Sequence, residues 1–180
     1  ELLPNTRLLV TFADTKRNAV CAYGAARRLV EHSFGGAGIS GAVGAYVSDA
    51  SIEAAKVTSL THVPQISYAS TSAALSSGFD YFLRTVPSDA FQAVAVAVLI
   101  KNLFGATRVA TLSSTGSFGA SLFTNFQQTA VSIGLTLVAS ESFADHAPDL
   151  STPIEVIRRS HSRYIVLFCQ SFDVHRVYDA

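Results

Sequence analysis

Short apolar segments alternate with longer segments of helical character along most of this chain, and this alternation limits the folds open to it. The segments with strand character are predicted at residues 8–13, 41–46, 63–68, 81–85, 108–113, 135–143 and 164–169. Between them the pattern predicts helices at residues 18–31, 50–60, 90–104, 118–133 and 150–160, and a last helix interrupted at Ala180. Strands joined through helices form parallel sheets, so the sequence predicts an α/β fold.

Composition indicates a folded domain and excludes some partners. The chain has 180 residues, of which 49% are hydrophobic and 14% charged, with a formal net charge of zero. This apolar content is enough for a substantial core. The absence of a basic excess argues against nucleic acid as a partner. The longest apolar run, residues 93–100, is much shorter than the roughly 18 residues that suggest a membrane span. Because the chain lacks Met and starts at Glu1, we expect it to be a fragment.

Hydroxyl side chains follow two of the predicted strands at the point where each strand ends. Ser48 follows strand 41–46, and Thr71 follows strand 63–68. In open α/β sheets, ligands bind outside the carboxyl ends of the strands, where helix N-termini present free N–H groups. Each hydroxyl could instead cap its own helix, as Ser and Thr commonly do. Because the pattern recurs at successive strand ends, we favour a ligand-binding cleft.

Three sequence strings carry a resemblance to a known family. They are PQISYASTSAALS from Pro64, FLRTVPSD from Phe82, and GSFG from Gly116. Together they resemble the extracellular Venus-flytrap ligand-binding region of class C G-protein-coupled receptors, with metabotropic glutamate and calcium-sensing receptors most alike. The resemblance implies a two-lobed, periplasmic-binding-protein-like type I fold with parallel sheets flanked by helices. It further implies that residues 1–83 are part of lobe 1 and residues 84–180 part of lobe 2.

The resemblance also implies ligand contacts in the first lobe. By this similarity, the hydroxyls of Ser48 and Thr71 hold the α-carboxylate and the α-amine of an amino acid, and the backbone at Ala69 and Ser70 contributes. The family's GPGSSS turn corresponds here to residues 44–49, so that Asp49 adds a charge near the cleft. Because this carboxylate would repel a ligand carboxylate, we expect Asp49 to point into solvent or to serve the positive end of its helix.

Two further contacts are implied in the second lobe. Asp89 would reach the α-amine through a charge-assisted bond, which is stronger than a neutral one. Its alternative role is to cap a helix. Phe118 stands where the family's SxGxYG motif has Tyr, so the hydroxyl is lost, although a phenyl face still attracts an ammonium group. Packing in the core is the alternative for Phe118.

The implied function is a cell-surface receptor region that binds an α-amino acid or similar small zwitterion and signals by lobe closure. The resemblance places it outside the plasma membrane, with a transmembrane domain beyond this fragment and a homodimer formed through lobe 1. Val57 and Leu60 are candidate dimer contacts, or they face the core. The alternative function is a periplasmic-type amino-acid-binding protein of a transport system. We expect no enzymatic activity, no cofactor and no metal.

Other motifs do not support an enzyme. Residues 36–41 match the GxGxxG pattern of dehydrogenases, but a helix is predicted before the match and a strand after it, the reverse of the required context. The five His residues are scattered, without metal-ligand spacing. Cys21 lies in the first helix and Cys169 at the end of a late strand, so a disulfide between them is not expected.

Overall fold

Two parallel sheets of three strands each organise the molecule. The computed structural model describes Pro4 and residues 6–179. The first sheet has the order β1-β2-β3 and consists of β1 (Ala42–Val43), β2 (Gln65–Ser67) and β3 (Phe82–Arg84). The second has the order β5-β4-β6 and consists of β4 (Arg108–Ser114), β5 (Thr136–Phe143) and β6 (Ile165–Phe168). Every strand pairing in both sheets is parallel, which confirms the predicted fold class.

Helices connect the strands as the alternation predicts. They are α1 (Ala19–His32), α2 (Ser48–Leu60), α3 (Asp89–Asn102), α4 (Ser117–Ser132), α5 (Ser151–Arg159) and α6 (Ser171–Asp179). Two short 3₁₀ turns lie at Ser33–Gly36 and Ala73–Ser76. We refer to the first sheet with α1 and α2 as lobe 1, and to the second sheet with α3 to α6 as lobe 2. The exact boundary at residues 83 and 84 stays a prediction, since Arg84 still pairs with Ser67 in the first sheet.

One predicted strand is wrong. Residues 8–13 form no strand pairing, and their apolar side chains are exposed, with Phe12 90% exposed. Among the described residues, β1 pairs only with β2, so the backbone of residues 8–13 has no neighbour that exchanges hydrogen bonds with it. A strand is stabilised by its ladder as well as by its apolar pattern, and here the ladder is missing.

The glycine-rich segment after α1 ends a helix, as its context in the sequence predicts. The helix α1 and a 3₁₀ turn precede the segment, and β1 follows it. Gly38 has φ of 74°, and a Cβ at this position would lie 2.5 Å from the carbonyl oxygen of Val30. Only glycine fits this left-handed conformation so close to the helix backbone. The segment therefore lacks the strand-to-helix order of a dinucleotide-binding turn.

The second sheet is covered on both faces by apolar side chains. On one face, α3 and α4 pack against β4 around Val109, Leu122 and Phe126. On the other face, α5 packs through Ile157 against Leu112 and neighbouring residues. Gly119 allows α4 to approach the sheet, because a Cβ there would lie 2.5 Å from the carbonyl oxygen of Ser114 and 2.8 Å from that of Phe168.

The core of lobe 1 is built from smaller and more polar side chains. One apolar cluster contains Ala22, Ala45, Val47 and Ala50. A second joins α2 to β3 and includes Ala55, Leu75 and Phe82. The two candidate dimer contacts on α2 differ, since Val57 is 7% exposed and Leu60 is 82% exposed. Only Leu60 is therefore available to a partner.

Candidate functional site

The chain passes from lobe 1 to lobe 2 beside the predicted ligand contacts Thr71 and Asp89. Asp89 is the first residue of α3, and its backbone N–H donates to the carbonyl oxygen of Thr71 at 2.8 Å. The N-cap of α3 is Ser88, whose hydroxyl accepts from the N–H of Ala90 at 3.4 Å. Because Ser88 caps the helix, the Asp89 side chain is not needed for that task.

The carboxylate of Asp89 is fully buried, and its nearest charged group, Arg84, directs its donors elsewhere. The residue is 0% exposed, and neither of its carboxylate oxygens has a well-formed hydrogen bond to the described residues. Burial raises the pKa of this carboxyl, while the nearby hydroxyls of Thr71 and Ser121 and the charge of Arg84 oppose the rise. The Thr71 hydroxyl is likewise buried without a hydrogen-bond partner. Buried polar groups are normally paired, so these two neighbours are candidates for contact with a ligand group.

Ser48 lies on the lobe 1 side of the same region but does not cap a helix. It is the first residue of α2, and the N-cap position is Val47, which makes no side-chain hydrogen bond. The buried Ser48 hydroxyl instead accepts from the backbone N–H of Ser72 at 3.2 Å. Ser72, rather than Thr71, caps the following 3₁₀ turn. The alternative that Ser48 and Thr71 are ordinary helix caps is therefore wrong.

The loop that carries Ala69 and Ser70 is fixed by a buried network of hydroxyls. The N–H groups of both residues donate to the Ser67 hydroxyl, at 3.3 and 3.0 Å. Ser67 donates in turn to the carbonyl oxygen of Ala45 at 2.7 Å. The hydroxyls of Ser70 and Ser51 are 2.7 Å apart. These two N–H groups are thus already engaged, and the network fixes the backbone next to Thr71.

Arg84 holds the same loop from the end of β3. One guanidinium nitrogen donates to the carbonyl oxygens of Thr71 and Ser72, at 3.0 and 2.9 Å, and the other donates to the Ser76 hydroxyl. Arg84 therefore places a positive charge near Asp89 but directs its donors to carbonyl oxygens. Its position in the string FLRT gave no sign of this contact.

Helix α4 of lobe 2 supplies contacts that the sequence analysis missed. The Ser121 hydroxyl accepts from the backbone N–H of Ala73 in lobe 1 at 2.9 Å. One turn earlier, the N–H of Ser117 donates to both carboxylate oxygens of Asp49, at 3.1 and 3.3 Å. Asp49 lies in the first turn of its own helix, which agrees with one of its two expected positions, but its carboxylate accepts from the N-terminus of α4 instead of pointing into solvent. The spacing of Ser117 and Ser121, four residues apart, was the available signal.

Comparison with known proteins identifies the family. The model described as "Receptor family ligand binding region" matches residues 1–178 of this chain. The chain belongs to this receptor ligand-binding family. A human relative, metabotropic glutamate receptor 8, is 34% identical over 148 residues, which cover 79% of this chain and 16% of the receptor. The Drosophila melanogaster metabotropic glutamate receptor is 32% identical over 165 residues, which cover 89% of this chain and 17% of the receptor.

A solved structure supports the two-lobed fold of the receptor-family chain. A leucine-binding protein from Thermotoga maritima superposes with a TM-score of 0.83 and 21% identity, over 91% of this chain and 45% of the bacterial one. The resemblance to class C receptors and the type I periplasmic-binding-protein-like fold are therefore confirmed. The chain spans about one sixth of the length of the curated receptors it matches. Within the residues that the structure describes, none of the helices has the length and apolar character needed to cross a bilayer.

The last candidate contact, Phe118, and the two cysteines have simpler surroundings than Asp89 and Thr71. Phe118 is the second residue of α4, half-buried, and packs against the apolar core of lobe 2. This matches its alternative role, and a ligand contact through the rest of the ring stays a prediction. Cys21 and Cys169 are both free thiols. Burial, together with the charges of Asp173 and Asp145, raises the pKa of Cys169 to about 11.

Proposed function

We propose that this chain binds an α-amino acid or a similar small zwitterion between its lobes, and that lobe closure is the signal. The observation that carries the proposal is the Asp89 carboxylate, which is 0% exposed and has no well-formed hydrogen bond to the described residues, with the Thr71 and Ser121 hydroxyls beside it. An unpaired buried carboxylate is costly, and an ammonium group from a ligand would remove this cost. The relatives named as glutamate receptors point to the same ligand class.

Each proposed contact has a chemical task in this arrangement. The α-amine lies against Asp89, which forms a charge-assisted bond with it. The α-carboxylate accepts from the hydroxyls of Ser48 and Thr71, beside the backbone of Ala69 and Ser70. The exposed part of the Phe118 ring contributes an aromatic face for the ammonium group. None of these tasks involves bond making or breaking, so the proposal describes a sensor rather than an enzyme.

Closure follows from contacts in both lobes. Ser48 and Thr71 belong to lobe 1, whereas Asp89 begins the first helix of lobe 2. A ligand that touches both lobes favours the closed state by its differential affinity, about 1.4 kcal/mol for each tenfold ratio. In the parent receptor, these lobes would lie outside the plasma membrane, and their closure would change the state of a membrane domain of the G-protein-coupled type. We further propose a homodimer through lobe 1, with the exposed Leu60 as a contact.

A transport binding protein is the second candidate. The fold shared with the leucine-binding protein suits it, because the same clamshell would deliver an amino acid to a permease. The identity to named receptors over most of the chain favours the sensor. Ligand-dependent signalling from cells that express the full protein, without uptake of the ligand, would separate the two functions.

Calorimetric titration of the full protein with a panel of amino acids tests the proposal. We expect saturable binding by at least one amino acid. Asp89→Asn should weaken it by about tenfold or more, because a hydrogen bond to a charged group contributes about 1.5–3 kcal/mol. Thr71→Ala should weaken it by a smaller factor, since it removes a neutral hydroxyl.

Asp80→Asn is the matched control, since Asp80 is an exposed acid in lobe 1 and its change should leave the affinity unaltered. Equal affinities in the wild-type protein, Asp89→Asn and Thr71→Ala would show that the ligand binds elsewhere. Binding by no amino acid would contradict the ligand class itself.

A further inference from the structure

Asp49 of lobe 1 occupies the N-terminus of a helix that belongs to lobe 2. Its two carboxylate oxygens accept from the backbone N–H of Ser117, the first residue of α4. The N-cap residue of α4 is Gly116, which has no side chain to satisfy this N–H. A carboxylate at a helix N-terminus is stabilised by the unpaired N–H groups and by the helix dipole. Asp49 therefore does for α4 what a capping side chain does within one helix, but from the opposite lobe.

A second contact on the same face of α4 makes this arrangement a defined lobe interface. Ser121 accepts from the Ala73 N–H, and it lies one turn after Ser117. Residues four apart on a helix share one face, so both bonds hold the same side of α4 against lobe 1. Asp49 directly follows Ser48, which accepts from the Ser72 N–H, and Ala73, the partner of Ser121, follows Ser72. The Asp49 contact is thus continuous with the proposed ligand site.

The charges around this face are mostly negative. Helix α4 contains no charged residue in its sequence SFGASLFTNFQQTAVS. Asp145, from the segment after β5, lies directly against Gly116 and has one buried carboxylate oxygen without a partner. Asp89 adds a further unpaired carboxylate, and Arg84 directs its donors to carbonyl oxygens. An additional anion bound near the N-terminus of α4 would be repelled by the carboxylates of Asp49 and Asp145, and charge repulsion is stronger away from bulk water.

We propose that Asp49 is a specificity-determining residue, which fills the α4 N-terminus with the protein's own carboxylate and so disfavours ligands that carry an anionic group beyond the α-carboxylate. The inference rests on the proposed function and narrows its ligand class. Amino acids with neutral or cationic side chains bind, and acidic amino acids are discriminated against.

The contact itself is tested without any ligand. Spin labels on the exposed positions Lys56 in lobe 1 and Gln128 in lobe 2 of the full protein report the distance between lobes, after both cysteines are replaced by Ser. Asp49→Ala and Ser117→Pro should each lengthen or broaden this distance, and together they should have no larger effect than either alone. Proline removes the donor N–H, and it is tolerated at the first position of a helix.

The matched control for the distance measurement is Ser117→Ala, which keeps the backbone N–H and should leave the distance unchanged. The backbone before position 117 already suits proline, because Gly116 has φ of −60° and ψ of 159°. Unchanged distances in both Asp49→Ala and Ser117→Pro would overturn the inference.

Discrimination is tested with glutamine and glutamate, which have nearly the same shape and differ by one charge. We expect the wild-type protein to bind glutamine at least tenfold more tightly than glutamate, and Asp49→Asn to narrow that ratio by about tenfold, which corresponds to about 1.4 kcal/mol. An unchanged ratio in Asp49→Asn, with both ligands still bound, would overturn the inference and leave the proposed function standing. If no variant binds any amino acid, the proposed function and the ligand discrimination that rests on it are both contradicted.

Discussion

The two lobes differ in what fills their cores. In lobe 1 the interior contains small apolar residues and many buried polar side chains, including Ser48, Ser51, Thr58, Gln65, Ser67, Ser70 and Ser72. A cavity of about 250 Å³ also lies between α1 and β1. In lobe 2 the sheet is covered on both faces by larger apolar side chains, among them Val109, Leu112, Leu122 and Phe126. Lobe 1 thus depends more on hydrogen bonds, and lobe 2 more on apolar packing.

This difference matches what each lobe presents to the cleft. The hydroxyls and backbone groups of lobe 1 need fixed directions, which a connected hydrogen-bond network provides. Asp89 in lobe 2 is fully buried at the start of α3, and Ala93, one turn later on the same helix, belongs to the apolar core. The comparison shows that the two sides of the proposed cleft are stabilised in different ways, by hydrogen bonds in lobe 1 and by apolar packing in lobe 2.

The largest expected effect is the loss of an aromatic ring from lobe 2. Phe126 is fully buried and packs against Phe168, with ring centroids 5.3 Å apart. Phe126→Ala should lower the free energy of unfolding by about 3–5 kcal/mol, through lost burial and a residual cavity. Phe12→Ala, at a ring that is 90% exposed, is the matched control and should change it by less than about 0.5 kcal/mol. Equal effects in denaturant titrations would contradict the assignment of the core.

A smaller but still clear effect is expected from the polar network of lobe 1. The Gln65 amide donates to the carbonyl oxygen of Gly44 at 3.0 Å, and its oxygen accepts from the Thr58 hydroxyl at 2.9 Å. Gln65→Leu should cost about 2 kcal/mol, because it removes both bonds and leaves the buried Thr58 hydroxyl without this acceptor. Adding Thr58→Val should cost less in this background than in the wild-type protein. Additive costs in the double-mutant cycle would show that the two side chains are not coupled.

The smallest expected effect is a pH dependence of folding stability, which arises from Asp89 in lobe 2. The pKa of Asp89 is raised in the folded protein, so the folded state binds more protons than the unfolded state between the two pKa values. Stability should therefore fall as pH rises from the unfolded to the folded pKa of this group. Asp89→Asn should unfold at a higher denaturant concentration than the wild-type protein at pH 7, and this gain should shrink towards pH 4. A gain that is independent of pH would exclude titration of Asp89 as its cause.

Much of the fold followed from the sequence because periodicity and strand–helix alternation are local signals. The helices and all the strands except residues 8–13 lie where the pattern predicts them. That exception arose because the apolar pattern reports a tendency, whereas a strand also needs a partner. The candidate site was harder to predict than the fold. Ser48 and Thr71 were identified because they follow strands, but the hydrogen bonds around them involve segments distant in sequence.

Asp49 shows most clearly why such contacts are hard to predict. Its partner Ser117 is 68 residues away, and the donor is a backbone N–H that every residue except proline has. Nothing in the side chain of either residue indicates the pairing. The sequence indicated a charged side chain near the predicted cleft. The group that this carboxylate contacts could be identified only from the structure of both lobes.

The close approach of α4 to the sheet at Gly119 has a consequence for natural variants of this protein. Any side chain at this position would push the helix away from Ser114 and Phe168, and the contacts of Ser117 and Ser121 with lobe 1 would move with it. Under the proposed function, such a change would weaken ligand binding, although residue 119 lies against the sheet and contacts no ligand. Its origin would be a steric clash between helix and sheet.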